Sequence, residues 1–161
     1  MQTTVIYRTK RAPSEVATCV AIGDMWRALQ YDDLFPADGW QSFVSSLGSL
    51  FNMPPVRTRP TEPRTLRIVW MDIVSVGAKR VNGLTLGTRN DPEIVVVGQP
   101  NGHKGAPLVS QSALCHEIAH VACWRARGTG DPYHGLYGGP FNAAITQRVL
   151  DVDAGLARQG L

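Results

Sequence analysis

The chain has 161 residues, of which 43% are hydrophobic and 18% charged, and its formal net charge is +3. This composition excludes a disordered chain, and the length suits a single domain, residues 1–161, with a core of its own. The weak positive charge permits an anionic partner without requiring one, and no apolar run approaches bilayer-spanning length, so no membrane partner is expected.

In chain order, Thr3–Tyr7 is β-branched and aromatic and predicts a short strand. Arg8, Lys10 and Arg11 follow as a small basic cluster, read as a solvated edge. Ser14 predicts the N-cap of a helix reaching about Gln30, with Val16, Val20, Met25, Trp26 and Leu29 on its apolar side. After a break at Phe35-Pro36, Asp38 is placed to cap a second helix. There Trp40, Phe43, Val44, Leu47, Leu50 and Phe51 make an amphipathic stripe. Residues 54–65 carry four prolines with Arg57, Arg59 and Arg64 and read as an extended loop. Its arginines suit phosphate contacts, but no aromatic residue is interleaved for base stacking, so nucleic acid is a weakly supported partner.

Leu66–Met71, Val81–Leu86 and Glu93–Val97 predict strands, the last two joined by the turn-rich 87–92. The loop 98–107 holds His103, read as a solvated side chain. A helix is then expected over Val109–Arg127, with Cys123 and Trp124 in its buried part. It contains H-E-x-x-H, as His116, Glu117 and His120. Positions i and i+4 share one helical face, so both imidazoles can address one ion. The intervening Glu can then reach water beside that ion as a general base.

A third protein ligand must come from downstream. The metzincin continuation is absent, since Cys123 and Ala126 occupy its positions, and no Glu follows Glu117 to serve as in the gluzincins. Asp131, His134, Asp151 and Asp153 remain. His134 lies fourteen positions after His120, beyond the turn Gly128-Thr129-Gly130-Asp131-Pro132, and is the favoured ligand, with Asp131 the alternative. A last helix is expected to start near Pro140, with Phe141, Ile145, Val149, Val152 and Leu156 as its apolar stripe. Cys19, Cys115 and Cys123 form no paired motif. Reduced thiols and a cytoplasmic location are expected, consistent with an N-terminus that lacks a signal-peptide pattern.

The run His116-Glu117-Ile118-Ala119-His120, then His134-Gly135, then Pro140-Phe141, resembles the SprT-like (Spartan-type) minimal zincins over roughly residues 66–150. The resemblance departs at Leu136-Tyr137-Gly138-Gly139, which stands as an insertion, and the zinc ribbon of the DNA-repair members is absent. It implies a zincin-like α+β fold. A small mixed or antiparallel sheet of three to four strands would pack on N-terminal helices, an active-site helix and a C-terminal helix. It also implies Zn²⁺ held by His116, His120 and His134, Glu117 as general base, and peptide or protein substrates. Gly128-Thr129-Gly130-Asp131-Pro132-Tyr133-His134-Gly135 is similar to the aspzincin motif as well, which would make Asp131 the third ligand. Tyr133 and Tyr137 are candidate donors to an oxyanion. The expected function is a zinc-dependent metallopeptidase. The alternatives are an aspzincin-type peptidase, a zinc hydrolase acting on another bond, and a non-catalytic zinc-binding protein with a regulatory or nucleic-acid-associated role.

Overall fold

The structure is a computed structural model that describes residues 1–31, 34–35, 59–98, 111–135 and 139–161. The helix expected over 38–51, Arg57, His103 and Tyr137 lie outside these residues. The described elements are β1 (Gln2–Tyr7), α1 (Glu15–Ala28), β2 (Thr65–Met71), β3 (Val74–Val76), β4 (Lys79–Val81), β5 (Gly83–Gly87), β6 (Pro92–Val97), α2 (Ser112–Arg127) and α3 (Ala143–Arg158).

Four strands form one mixed sheet in the order β1-β2-β6-β5. β1, β2 and β6 run parallel, with Val5 opposite Ile68 and Ile68 opposite Ile94, and β5 returns antiparallel on β6 with Leu84 opposite Val95. β2 is flanked on both sides, and its sequence Leu66-Arg67-Ile68-Val69-Trp70-Met71 is apolar apart from the exposed Arg67, which pairs with Glu93 on β6. Leu66, Ile68, Trp70, Ile94 and Val96 point to one face and pack, with hardly any exposure, against α1, α2 and α3. The indole N–H of Trp70 donates to Thr18 Oγ1 at 3.2 Å, so this buried donor is satisfied inside the core. Val69 and Val95 point the other way and are covered by Val74, with Ile6, Met71, Val81 and Leu84 around them.

That cover is a β3–β4 hairpin, Val74 opposite Val81, which sequence patterning does not predict because each strand has only three residues. The strand expected over Val81–Leu86 is divided at Asn82. Its carbonyl accepts the N–H of Val97, and β5 proper runs Gly83–Gly87. Ser14 caps α1 as expected, accepting from Ala17 N at 3.1 Å. The last helix starts later than Pro140: Asn142 is its N-cap, accepting from Ile145 N at 3.0 Å. An Asn side chain satisfies an orphan N–H, which Pro140 has no means to do. Phe141, Ile145, Val149 and Leu156 are buried as the stripe anticipates.

The last turn of α2 is tied to the rest of the fold by Arg125. Its guanidinium donates to the Thr61 carbonyl at 2.8 Å, Thr61 Oγ1 at 2.7 Å, Asn90 Oδ1 at 2.6 Å, and the carbonyls of Glu62 and Arg89 at 3.2 Å each. A planar five-donor fork serves these acceptors and an ammonium cannot. Arg125→Ala is expected to cost about 2 kcal/mol, in the range for losing charged hydrogen bonds, and to lower the thermal midpoint by roughly 4–8 °C. Arg125→Lys should recover less than half of that. An unchanged midpoint for the alanine variant would show that the network adds nothing.

Candidate metal centre

Helix α2 divides its residues between two environments. Leu114, Cys115, Ile118, Ala119, Val121, Ala122 and Cys123 are fully or almost fully buried in the core, while His116, Glu117 and His120 line a groove between the helix and β5. Glu117 and His120 are nevertheless only 7% and 8% exposed. Gly128 ends the helix in the left-handed region at φ 77°, and the chain turns back to bring His134 over the same face.

The three imidazoles meet through their Nε2 atoms. His116 Nε2 lies 3.1 Å from His120 Nε2, and His134 Nε2 lies 3.2 Å from His120 Nε2. Two nitrogens held at about 2.0–2.1 Å by a tetrahedral ion are roughly 3.3 Å apart, so the cluster has the dimensions of a three-histidine site. His120 Nδ1 is 2.6 Å from the Gly130 carbonyl oxygen, which can only accept. Nδ1 therefore carries the hydrogen and Nε2 presents its lone pair to the cluster. An Nε2–H of His116 or His134 can donate to that lone pair, and a cation between the rings would instead take the lone pairs of all three. The Phe141 ring sits 4.7–5.0 Å from all three imidazoles and backs them with apolar surface.

Burial pushes the His116 imidazole down to about 4, reinforced by the neighbouring His120 and His134, and burial likewise lowers His120. Both rings are therefore neutral, as ligands must be, at pH 7. In the metal-free protein the unfolded chain binds more protons than the folded one between about pH 6.5 and 4. The stabilisation by neutral His116 is full above that window and disappears as pH falls through it. The thermal midpoint of the apoprotein is expected to drop between pH 7 and 4.5, with a shallower drop in His116→Asn. Equal slopes for the two proteins would contradict this.

Glu117 is held by β5. The Thr85 hydroxyl donates to Glu117 Oε2 at 2.7 Å. Burial raises the Glu117 carboxyl above its ordinary range, and the Thr85 hydrogen bond partly opposes this. Gly83 is what lets the strand approach: a Cβ there would lie 2.7 Å from Glu117 Cγ and 2.8 Å from Oε1. Neither Thr85 nor Gly83 stands out in the sequence. A glycine inside a strand pattern is the one available signal, and it indicates close approach without naming the partner.

Four other residues singled out in the sequence have described positions. Among the described residues the candidate metal cluster contains His116, His120 and His134 and does not include Asp131. The Asp131 carboxylate instead accepts backbone N–H groups of Gly135 and Phe141. Cys123 is buried away from the cluster, as its position one turn beyond His120 suggests. Trp124, expected in the core, is partly exposed and lines the groove. Tyr133 is 62% exposed and lies outside the groove lining.

The groove encloses about 800 Å³ along β5 and the histidine cluster. Among the described residues β5 pairs with β6 alone, and no described strand pairs with its other edge. Compared with known proteins, the chain matches no protein-family model, no curated protein and no solved structure. No helix of the described residues is long and apolar enough to cross a membrane.

Proposed function

We propose that this protein is a zinc-dependent metallopeptidase of the SprT-like kind, with His116, His120 and His134 as metal ligands and Glu117 as general base. The observation that carries the reading is the joint placement of three Nε2 atoms within 4.8 Å of one another and a buried carboxylate on the next residue of the same helix. Histidine-only ligation at tetrahedral spacing favours Zn²⁺ among the divalent ions. The ion, when bound, supplies Lewis acidity that lowers the pKa of water toward ~7 and polarises a carbonyl.

The protein's own residues do the rest. Glu117 Oε1, the oxygen that Thr85 does not hold, takes a proton from the attacking water and passes it to the departing amine. Thr85 keeps that carboxylate in one orientation. The edge of β5 that no described strand pairs offers main-chain N–H and C=O groups to an extended polypeptide, which would add as a further strand beside the site. Apart from the ligands and Glu117, the described residues lining the groove carry no charge, and Val81, Leu84, Ala113, Val149 and Leu150 make much of it apolar. Extended segments with apolar side chains are the expected substrates. A site that only stabilised the fold would have no use for a carboxylate kept in this buried position, where ionisation is opposed.

Digestion of an unbiased peptide mixture, with and without a chelator and with zinc restored, tests the function. Cleavage that stops on chelation and returns with zinc is expected. Cleavage that ignores the chelator, or none under any condition, would sink the peptidase reading.

A further inference from the structure

The turn after α2 contains two non-glycine residues in the left-handed region, Asp131 and His134, each at φ 51°. That conformation is uncommon for side-chain-bearing residues and persists where surrounding contacts determine it. The contacts here converge on Asp131, which is 5% exposed. Its N–H donates to Thr129 Oγ1 at 3.1 Å, and its carbonyl accepts the His134 N–H at 3.1 Å. One carboxylate oxygen, Oδ2, accepts the Gly135 N–H at 2.7 Å and the Phe141 N–H at 2.8 Å. Gly139 passes so close to the carboxylate that a Cβ there would collide with it.

The three hydrogen bonds that Asp131 accepts come from the backbone N–H groups of His134, of Gly135 and of Phe141, whose ring lies behind the cluster. The preceding residue, Gly130, supplies the carbonyl that orients His120. Two adjacent positions thus govern two of the three imidazoles. The Gly130 carbonyl bonds a ligand ring directly, whereas Asp131 acts through the backbone that carries His134 and Phe141; outer partners of a metal site orient its ligands and tune affinity.

We propose that Asp131 is the positioning residue of the metal centre: its carboxylate ties the backbone of Gly135 to that of Phe141, so that His134 faces His116 and His120 and Phe141 backs the cluster. This rests on the three imidazoles holding an ion, but not on peptide hydrolysis. An aspartate that engages two backbone N–H groups through one oxygen serves the site as an organiser of the turn and leaves ligation to His134.

The test is Co²⁺ titration followed by visible absorption, which reports the number and kind of ligands, on the full chain as wild type, Asp131→Ala, Asp131→Asn, Gly139→Ala and His134→Ala. Asp131→Ala is expected to lose about 10–100-fold in Co²⁺ affinity and to give the spectrum of His134→Ala. Asp131→Asn keeps an acceptor oxygen and should keep the wild-type spectrum with weaker affinity. Gly139→Ala displaces the carboxylate without removing it and should also move the spectrum toward that of His134→Ala, which covers the case of an Asp131→Ala protein that fails to fold. Wild-type spectra and affinities in both alanine variants at positions 131 and 139, or in Gly139→Ala alone where Asp131→Ala does not fold, would overturn the proposal and leave the metal site standing. A wild-type protein that takes up no Co²⁺ would overturn the metal site and this proposal together.

Discussion

Glu117→Gln is expected to reduce kcat/KM for peptide hydrolysis by about 10²–10⁴-fold while leaving bound zinc at wild-type stoichiometry. The range is that of a positioned general base, equivalent to roughly 3–5 kcal/mol of transition-state stabilisation. The substitution isolates the proton transfer because little else changes. Glutamine has nearly the same volume, so the tight fit against Gly83, where a Cβ would meet Glu117 Cγ at 2.7 Å, is kept. Its amide oxygen can still accept from Thr85 Oγ1, which now donates to Oε2 at 2.7 Å. The amide lacks only the basicity to take a proton from water. The loss should therefore appear in kcat, with KM within a few-fold of wild type, since an interaction used only in the transition state has been removed. Turnover equal to wild type, measured on the same peptides with metal content confirmed, would remove Glu117 from the role of base.

The second large effect is on the metal. Structural zinc sites bind with about 10–16 kcal/mol shared among four protein ligands, or roughly 3 kcal/mol for each. His134→Ala is thus expected to weaken zinc binding by about a hundredfold, read by competition with a chromophoric chelator. Because His134 is an exposed residue, the fold should survive its loss. His120→Ala should cost more, because it also leaves the Gly130 carbonyl without the Nδ1–H it accepts at 2.6 Å and so loosens the turn that carries His134. Zinc affinity unchanged in His134→Ala would mean that the third ligand is another residue. Asp131, whose two backbone N–H partners occupy Oδ2, would then be the first alternative to test.

Much of the fold and of the centre could be read from the chain because the signals are local. A helix places residues four apart on one face whatever surrounds it, so His116 and His120 were bound to be neighbours once the helix formed. The glycine at 128 marks the end of that helix, and the distance from there to His134 limits where the chain can go. The largely apolar runs at Leu66–Met71 and Glu93–Val97, each broken by one charged residue (Arg67 and Glu93), predict strands, and both are found as strands. The parallel pairing of β1 with β2 and the short β3–β4 hairpin had no comparable signal. A parallel neighbour is reached through a long crossover, and three-residue strands are too short for alternation to register.

What the amino-acid order determined by itself was therefore the ligand types, their spacing along α2, and the presence of a carboxylate between them. Only the tertiary structure decided which of His134 and Asp131 enters the cluster, and that Thr85 and Gly83 hold Glu117. The physical reason is range. Thr85 meets Glu117 across 32 positions and Asp131 meets Phe141 across 10, each outside any helical or strand period. Such contacts exist only after sheet, helix and turn have packed, when a buried carboxylate must find its donors from whatever backbone the fold has brought within reach.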